Sequence, residues 1–439
     1  MIAESITVDR FNDVTGSRTI RAELRIGEPW AVTAKTVISE LPEYSDEHPD
    51  APDGSFGKWK NGTSGKVIIE VKAKRGRLYK CPECGCMCRA HEYADRTYTH
   101  VSDMGHECEI RVNLPKLDCK GCGRKLQIRF PAARAKVSYT KELEKEVMRS
   151  LTENTIEGTA RKLRIGAWIV SDILKYHVRK AVPEQDLSTV TQIFVDEIQF
   201  MNGHNYVTVV SDQMKRIIFM TPGKGENTIA EFVSHLIIQG GDPENIRVVC
   251  ADMSRAYEAG IEKNLPNATL VFDSFHLVQA INTDLNTVRK RTLRRRKGER
   301  LRHVKYTVLK RPENMSEKDI ERLDTIRLHN PDLALAFDMK EAFCDILDNT
   351  DRYEAEADFE EWYAWVMIEG CREMKERARK FMEKINRIMA WFDHRVSNGY
   401  AEAVNALIQK TKAAAFGYAN VTNFISMCLY RFGKLTIRF

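Results

Sequence analysis

The chain has 439 residues, of which 43% are hydrophobic and 30% are charged. This ordinary globular composition excludes a wholly disordered or fibrous chain, and the length predicts about three domains. The net charge of +6 is a mild basic excess, which by itself indicates no particular partner.

The sequence shows no sign of a membrane or secretory protein. Its apolar runs stay well below the roughly 18 to 20 residues that a membrane-spanning helix needs. The first residues, Met1-Ile2-Ala3-Glu4, lack the basic and apolar segments of a secretory signal. We therefore expect a cytoplasmic protein without membrane contact, in which the 11 cysteines stay reduced.

Residues 1–80 are predicted to form a β-rich N-terminal region. Apolar residues recur at every second position from Val67 to Ala73, which is the period of a half-buried strand. The stretch 43–66 is rich in Asp, Pro, Gly and Ser, and this composition predicts a loop. Nothing in this region indicates chemistry.

Residues 81–135 are predicted to bind a structural Zn²⁺ in a ribbon-like region. Cys81 and Cys84 form one Cys-x-x-Cys pair, and Cys119 and Cys122 form another. Four thiolates complete a tetrahedral site and leave no open position for catalysis, and the glycine after each pair eases the turn. A set of unligated cysteines, a second metal ion, or a ligand exchanged for Cys86 or Cys88 stay open as alternatives. The further candidates nearby are Cys86, Cys88, Cys108, His91, His100 and His106.

Residues 139–185 are predicted to form a helix-turn-helix that binds DNA. Helical periodicity runs over 141–151, 155–163 and 167–176, and Gly166 lies between the last two segments. A tight turn at this place would set the last helix in a DNA groove. The alternative is a plain helical hairpin that links two domains.

From residue 190 the sequence predicts a mixed sheet. Strands are expected at 192–200, 205–211, 216–220, 246–252 and 268–273, with helices from Asn227 and over 254–264. Three strands, a helix, a strand, a helix and a strand follow the order of an RNase H-like fold. We assign 190–276 to the first part of such a core.

Two aspartates on neighbouring strands of this sheet are candidate metal ligands. Asp196 lies within an apolar strand, and Asp252 ends the next buried one. A buried carboxylate is costly unless it is paired or binds a metal ion. Two carboxylates at one sheet edge suit Mg²⁺ or Mn²⁺, which binds oxygen ligands and keeps several waters. An ion-pair role for Asp196 and a helix N-cap role for Asp252 are the alternatives.

Glu402 is the candidate for a third carboxylate ligand. On a helix from about residue 401, Ala403, Leu407 and Ala414 are expected to face the core, and Glu402, Asn405 and Gln409 to share the other face. Three carboxylates that hold two divalent ions can activate a water or a 3′-hydroxyl for in-line attack on phosphorus. The alternative for Glu402 is a solvated helix residue.

Asp273 and His276 are predicted to be auxiliary residues. A strand that ends in Asp273, with His276 three residues later, brings both side chains near the same sheet edge. They would order the site or a DNA phosphate. A capped helix start with a hydrogen-bonded histidine is the alternative.

Two runs of opposite charge follow the last predicted strand. Residues 289–311 contain 12 Lys or Arg and one acidic residue, whereas residues 340–362 contain nine acidic and two basic residues. This asymmetry indicates a basic surface for a polyanion beside an acidic helical surface. Alternatively, the basic run is a solvated helix face.

Several motifs together resemble the ISL-three family of bacterial insertion-sequence transposases, which are of the DDE type. The resemblance runs from about residue 65 to 432. Glu402-Ala403 departs from the usual Glu-Gly, and Ala413 to Ala415 replace basic residues. The matching motifs are the two cysteine pairs, Val195-Asp196-Glu197, Ala251-Asp252-Met253-Ser254-Arg255-Ala256-Tyr257, Asp273-x-Phe-His276, the block from Trp391-Phe392-Asp393-His394 through Ser397-Asn398-Gly399 to Glu402 and Asn405, Phe416-Gly417-Tyr418-x-Asn420 and Asn423-Phe424.

The resemblance implies a multidomain α/β transposase. Asp196, Asp252 and Glu402 would hold Mg²⁺ as catalytic residues, with Asp273, His276 and Asn405 as auxiliary residues. Residues 277–390 would be a helical insertion into the RNase H-like core, and residues 391–439 would supply its final helices. The basic run would contact DNA through Arg289, Lys290, Arg291, Arg294, Arg295, Arg296 and Lys297.

The expected substrates are double-stranded DNA at the inverted-repeat ends of the element and at the target. Because two ends must be handled together, we expect a homodimer or larger assembly on DNA, associated with the bacterial nucleoid. The alternatives are an inactive or domesticated transposase that only binds DNA, and a metal-dependent nuclease without joining activity.

Overall fold

The computed structural model describes residues 4–10, 24–26, 28, 30–40, 66–103, 106–201, 205–295, 304–394 and 399–439. The chain divides into two compact units, Met1–His177 with Ile437–Phe439, and Val178–Thr436. Within the ranges just given, no helix has both the length and the apolar character required to cross a membrane.

The first unit is built on a seven-stranded sheet in the order β1-β2-β3-β6-β5-β4, with β7 beside β6. The strand β3 runs parallel to β6, and the other pairs are antiparallel. The strands are β1 Glu4–Arg10, β2 Trp30–Glu40, β3 Lys66–Ala73, β4 Leu78–Lys80, β5 Met87–Asp103, β6 His106–Asp118 and β7 Lys125–Gln127.

The β-rich character predicted for the first 80 residues is confirmed where the chain is described. In β3, Val67, Ile69 and Val71 are buried, as the alternation predicted. Residues 41–65, which hold nearly all of the predicted loop, lie outside the described residues. Since β3 pairs with β6, one sheet spans the boundary expected at residue 80. The long hairpin of β5 and β6 was not predicted.

Three helices complete the first unit at the predicted positions: α1 Lys141–Leu151, α2 Ile156–Leu163 and α3 Ala167–Ala181. Thr140 and Thr155 cap α1 and α2, because each side-chain hydroxyl accepts a hydrogen bond from a backbone N–H in the first turn. Between α2 and α3, Arg164 takes the left-handed conformation with φ of 54°. The result is the tight turn of a helix-turn-helix.

The second unit contains a five-stranded mixed sheet in the order β10-β9-β8-β11-β12. Its strands β8, β9 and β10 pair antiparallel, and β11 runs parallel to both β8 and β12. All five strands were predicted within two residues at each end: β8 Gln192–Met201, β9 Asn205–Asp212, β10 Ile217–Pro222, β11 Val248–Ala251 and β12 Thr269–Phe272.

Helices cover both faces of this sheet. One face packs against α4 and α5 and continues into the core of the later helices, through buried residues such as Phe232, Tyr257, Leu277 and Phe343. The helices are α4 Glu226–Ile238, α5 Arg255–Asn264, α6 Ser274–Arg295, α7 Val304–Leu309, α8 Glu317–His329, α9 Pro331–Asp348, α10 Arg352–Glu369, α11 Arg372–Met382, α12 Ile385–His394, α13 Gly399–Ala414 and α14 Val421–Phe432.

The opposite face of the sheet has a smaller apolar cluster. Phe194, Cys250 and Val271 come from three neighbouring strands and pack with Ala390 of α12. On the sheet, α12 packs on β12, α13 on β8 and α14 on β10. This face positions the candidate active site.

Candidate active site and metal centre

Three aspartates lie side by side on three neighbouring parallel strands, Asp196 in the middle of β8 and Asp252 and Asp273 directly after the ends of β11 and β12. Val195 of β8 pairs with Ala251 of β11, which in turn pairs with Phe272 of β12. Each of these paired residues is followed directly by an aspartate: Val195 by Asp196, Ala251 by Asp252, and Phe272 by Asp273. Identical register therefore gives the three carboxylates the same height along the sheet.

The three aspartates also share one face of the sheet. Val195, Ala251 and Phe272 belong to the large core, whereas the residues before them belong to the smaller cluster. Because side chains alternate along a strand, each aspartate points to the side of the smaller cluster. The structure thus brings Asp196, Asp252 and Asp273 together on the face covered by α12 and α13.

His276 and Asn405 contact this row of carboxylates. The His276 Nε2 atom lies 3.9 Å from Asp196 Oδ1 and 3.8 Å from Asp273 Oδ2. On the other side, Asn405 of α13 donates a hydrogen bond from Nδ2 to Asp196 Oδ2. Asp252 borders an open cavity of about 320 Å³ that is also lined by His276 and Gln279.

Burial raises the pKa of both Asp196 and Asp252 above the ordinary value for an aspartate. For Asp252 the charge of Asp196 adds to this effect, whereas the backbone N–H of Ser254, which donates to Asp252 Oδ1 at 3.0 Å, opposes it. Negative charge is therefore costly at this site, and a bound cation would stabilise it.

The expected faces of α13 were wrong. Ala403, Leu407 and Ala414 are exposed, and the buried residues are instead Val404, Ile408 and Thr411. These three recur at i, i+4 and i+7, which is the stripe that a straight helix buries. Asn405 is half-buried beside this stripe and reaches Asp196, while Gln409 is exposed.

Glu402 lies on α13, three residues before Asn405. Its side chain lies outside the described part of the structure. The backbone thus places Glu402 one helical turn from the residue that contacts Asp196.

A lysine at the rim of the site was missed by sequence reasoning. Lys224, between β10 and α4, lies 3.4 Å from Glu197 Oε1, and its Nζ stands 4.0 Å from the centre of the Tyr206 ring. Its positive charge lowers the pKa of Asp252 against the stronger effect of burial. The Thr221-Pro-Gly-Lys-Gly turn was the available signal, but nothing in it indicates which strand end it faces.

In the first unit, the four predicted zinc ligands converge. The Sγ atoms of Cys81, Cys84, Cys119 and Cys122 all lie within 4.8 Å of one another. The Cys81–Cys122 and Cys84–Cys119 separations are 3.8 and 3.4 Å. With Zn–S bonds of about 2.3 Å, a tetrahedral site has S···S distances of about 3.8 Å. The cluster therefore has the dimensions of a four-thiolate zinc site.

Two similar turns present these thiols. Gly85 N donates to Cys81 O at 3.0 Å, and Gly123 N donates to Cys119 O at 2.7 Å. Both glycines have positive φ, 78° and 68°, a conformation that an L-residue adopts at a cost. The backbone N–H of Cys122 lowers the pKa of Cys119 to about 6. Such a thiol is readily available as the thiolate that a metal ion needs.

Two of the spare candidates lie beside the four-thiol cluster, since the Cys86 thiol contacts Cys84 and the Cys88 thiol contacts Cys119. Cys86 lies against Gly121, where an added Cβ would come within 2.5 Å of the Cys86 Sγ atom. Cys88 is buried and donates to the Cys86 carbonyl at 3.6 Å, and Cys108 is buried in the sheet core. Among the histidines, His100 pairs with Thr140 at 2.8 Å, His91 is exposed, and the His106 side chain lies outside the described residues.

Two family models match this chain. A model described as a transposase matches residues 193–428, and a model described as the helix-turn-helix domain of transposase family ISL3 matches residues 128–178. The first match alone covers more than half of the chain. The chain belongs to the ISL3 transposase family. This is the ISL-three family that the motifs resembled.

Similar proteins have matching names. The transposase for insertion sequence element IS1001 of Bordetella parapertussis is 24% identical over 82% of this chain and 90% of its own length. The transposase for insertion sequence element IS1557 of Mycobacterium tuberculosis is 23% identical over 91% of this chain and 93% of its own length. The likeness therefore extends through both compact units of the ISL3 transposase.

The DNA-binding helix-turn-helix of this transposase is formed by α2 and α3, within the matched region. The match begins at residue 128, earlier than the predicted start at residue 139. The segment before α1 contains Arg134, which bonds to Glu144 at 2.6 Å and to Asp172 at 2.8 Å. This arginine ties the start of the matched region to helices α1 and α3.

Parts of the basic run of the transposase are engaged within the protein. On α6, Arg291 lies 3.2 Å from Glu373, Arg289 donates to Asn286 at 2.9 Å, and Lys290 is exposed. The side chains of Arg294 and Arg295, and the whole of Arg296 and Lys297, lie outside the described residues.

The far end of the basic run meets the acidic run. The Arg311 guanidinium lies 2.9 Å from Asp345 and 2.8 Å from Asp348. Lys310 pairs with Asp319 at 2.6 Å. The two runs of opposite charge are thus partly neutralised by each other and by their neighbours.

Proposed function

We propose that this transposase binds the terminal inverted repeats of its insertion sequence, cuts them in a metal-dependent reaction and joins them to target DNA. The observation that carries the proposal is the shared register of Asp196 and Asp252 on one sheet face, with Asn405 of the nearby helix in contact with Asp196.

The catalytic core in this proposal is RNase H-like. The strand order β10-β9-β8-β11-β12, with three antiparallel strands before the parallel ones, supports this assignment. Residues 277–390 are the helical insertion, and 391–439 supply the final helices. One hydrophobic core extends from the sheet into α6–α11, which supports an insertion that packs directly on the RNase H-like sheet.

The donor set fits Mg²⁺ or Mn²⁺. Asp196 and Asp252 offer hard carboxylate oxygens, and burial makes their charge costly without a cation. Glu402, one turn before Asn405, is proposed as the third ligand. When bound, divalent ions in such a site stabilise the attacking and leaving oxygens of an in-line displacement at phosphorus.

The protein's own residues hold the site in order. Asn405 donates to Oδ2 of Asp196, whereas Oδ1 accepts from the backbone N–H of Glu197 at 2.7 Å and faces His276. His276 stands between Asp196 and Asp273, so it keeps two carboxylates apart from each other. Lys224 places a positive charge beside Glu197 at the rim, where a DNA phosphate would approach. Asp273, His276 and Asn405 are thus proposed as positioning residues.

The remaining regions are proposed to find and hold DNA. The helix-turn-helix reads the element ends, and Zn²⁺ held by Cys81, Cys84, Cys119 and Cys122 stabilises the sheet beside it. The exposed Lys290 and the later members of the basic run, through Lys297, contact the DNA backbone. The working form is a homodimer or larger assembly on DNA, in the bacterial cytoplasm and nucleoid, because two ends are handled in one event.

The test uses the purified full chain, Mg²⁺ and a duplex carrying the DNA that flanks its gene. We expect nicking at the element boundary, joining of the freed 3′-hydroxyl to a second duplex, and loss of both in Asp252→Asn. The matched control is Asp324→Asn, an exposed aspartate on α8, which should keep full activity.

The other outcomes separate the rival functions. If the wild type and Asp252→Asn bind the duplex equally and neither cleaves it, the protein is a DNA-binding protein with a transposase fold and no catalytic activity. Cleavage without joining would indicate a metal-dependent nuclease. Cleavage that survives in Asp252→Asn would exclude the proposed ligands.

A further inference from the structure

A large cleft lies in the first unit between the sheet and the helix-turn-helix. It has a volume of about 1,090 Å³. One wall is the segment of β5 around Arg96 and Tyr98, the floor is residues 127–139, and the other wall is α3 from Trp168 to Lys175. The exposed side of the second helix of the helix-turn-helix therefore faces a cleft that it shares with the sheet.

The cleft carries an excess of positive charge. Arg96, Arg129, Lys136 and Lys175 line it, and none makes an ion pair within the described part of the chain. The two aspartates of the lining are already engaged. Asp95 accepts a hydrogen bond from Asn113 at 2.6 Å, and Asp172 pairs with Arg134 at 2.8 Å. Five basic residues and two aspartates line the cleft, and this excess of positive charge suits an extended anion such as a DNA backbone.

Lys136 has an unfavourable backbone conformation in this lining. Its φ is +64°, a region that costs an L-residue about 1 kcal/mol or more, and its side chain is exposed. A glycine would adopt the same conformation without this cost. Strain of this kind is common where a side chain has a binding task.

Trp168 is the large apolar group of the cleft. It lies at the second position of α3 and is 67% exposed. Its indole lies back over Gly166, where an added Cβ would come within 2.6 Å of Trp168 Nε1. Residues at the start of the second helix of a helix-turn-helix contact base edges in the major groove. An exposed apolar side chain at this place suits the methyl group of thymine.

We propose that this cleft holds one strand of the duplex bound by the helix-turn-helix, with Arg96 and Lys136 on its phosphates and Trp168 on a thymine methyl. The proposal rests on the proposed function, since it takes the element ends as the ligand. It adds Arg96 of β5, which lies outside the matched helix-turn-helix region, to the DNA-binding surface.

The first test measures how the affinity for the flanking duplex depends on salt. The double variant Arg96→Gln/Lys136→Gln should lower the slope of log Kd against log salt concentration by about two, because each phosphate contact contributes about 0.9. The matched control is Lys318→Gln/Arg372→Gln, which removes two exposed cations from α8 and α11 and should leave the slope unchanged. An unchanged slope in the cleft variant, or an equal decrease in both double variants, would overturn the proposal.

The second test replaces thymine by uracil throughout the flanking duplex, which removes only the methyl groups. Wild-type protein should bind the uracil duplex about fourfold more weakly for each thymine methyl that the indole covers, from about 0.8 kcal/mol per buried carbon group. Trp168→Ala should bind both duplexes equally and weakly, whereas Trp168→Phe should keep the preference. A Trp168→Ala protein that still prefers thymine would contradict the assignment.

In both tests the otherwise wild-type protein and every variant also carry Asp252→Asn, so binding is measured without catalysis. If the wild type binds the flanking duplex no better than an unrelated one, the proposed function fails. If it binds specifically and the cleft variants behave like the wild type, only the cleft proposal fails.

Discussion

At the scale of single residues, the candidate active site depends on strand register. Asp196, Asp252 and Asp273 each follow a residue that is paired across the parallel strands β8, β11 and β12. A shift of one residue in any strand would turn its aspartate to the opposite face. The apolar residues on either side of the aspartates therefore set the geometry of the site, because they decide which face of each strand is buried in the large core.

Asn405→Ala should impair the proposed reaction without unfolding the protein. The Asn405 amide donates to Asp196 and lowers its pKa against the stronger effect of burial, so its loss should raise that pKa further. We expect cleavage to fall about tenfold or more at neutral pH, since hydrogen bonds to charged groups contribute about 1.5 kcal/mol or more. The acid limb of the pH–rate profile should move to higher pH.

The control for this variant is Gln409→Ala, one turn further along the exposed side of α13. It should cleave like the wild type. If Asn405→Ala lowers the rate but leaves the acid limb of the pH–rate profile in place, Asn405 does not act through the pKa of Asp196.

Lys340→Met should stabilise the protein at neutral pH. Lys340 is 1% exposed, and burial lowers its pKa from 10.5 to about 8. Folding therefore disfavours the charged lysine. This lowers the free energy of unfolding by its full amount below pH 8, and the loss disappears as the pH rises toward 10.5. Lys340 pairs with Glu341 and donates to the Lys310 carbonyl at 3.3 Å, and Glu341 keeps Arg311 at 3.3 Å as a second partner. Because the lowered pKa shows that these contacts do not offset the burial of the charge, we expect a net gain of about 1 kcal/mol at pH 7.

Urea unfolding at pH 7 and at pH 10 measures this effect. The gain should shrink at the higher pH, where the wild-type lysine is neutral. Lys318→Met, an exposed change on α8, should alter neither value. If Lys340→Met is less stable than the wild type, the contacts of the Lys340 ammonium group more than offset the cost of burying its charge.

At the scale of elements, two short turns organise the first unit. The turn after β4 carries Cys81 and Cys84, and the turn after β6 carries Cys119 and Cys122. The turns are about 35 residues apart in sequence, and the long hairpin of β5 and β6 returns the chain so that they meet. This explains why the gap between the cysteine pairs exceeds the usual spacing of zinc sites.

Cys84→Ser should remove the bound metal, whereas Cys86→Ser should keep it. Only Cys84 belongs to the four-thiol cluster, and Cys86 lies beside it. We expect one zinc per chain in the wild type and in Cys86→Ser by elemental analysis, and less than one in Cys84→Ser. The melting temperature of Cys84→Ser should also fall, because metal binding contributes folding free energy. Loss of zinc from Cys86→Ser would reassign the ligands.

At the scale of the whole molecule, the transposase consists of two compact units. The first unit contains the cysteine cluster and the helix-turn-helix, and the second contains the carboxylate row and the helices of the opposite-charge runs. Each unit has its own hydrophobic core among the described residues. In the proposed function, recognition would therefore depend on the core of the first unit and the chemistry on the core of the second.

Removal of zinc should destabilise the first unit and leave the second unit unchanged. After treatment with a strong chelator, we expect amides of β5 and β6 to exchange faster with deuterium, because the turns at their ends lose their link. Amides of β8, β9 and β11 in the second unit should exchange as before. Hydrogen exchange read by mass spectrometry measures both, and an equal increase in the two units would show that they unfold together.

The sequence by itself determined most of the local structure. Strand and helix positions followed from periodicity, and the four cysteines that cluster were named from their spacing, because both depend on residues close along the chain. Motifs were enough to indicate the family, which the family models confirmed. The proposed catalytic aspartates could be named because a carboxylate within or directly after an apolar strand is costly unless it is paired or binds a metal ion.

Only the tertiary structure decided which distant residues meet. The buried face of α13 was predicted wrongly. Apolar residues are spread around this helix, so more than one face could be buried, and only packing on the sheet decides which one is. Pairing between the ends of the opposite-charge runs could not be predicted from either run alone. The cleft between β5 and α3 brings together residues about 70 positions apart, and long-range packing of this kind leaves no periodic signal in the chain.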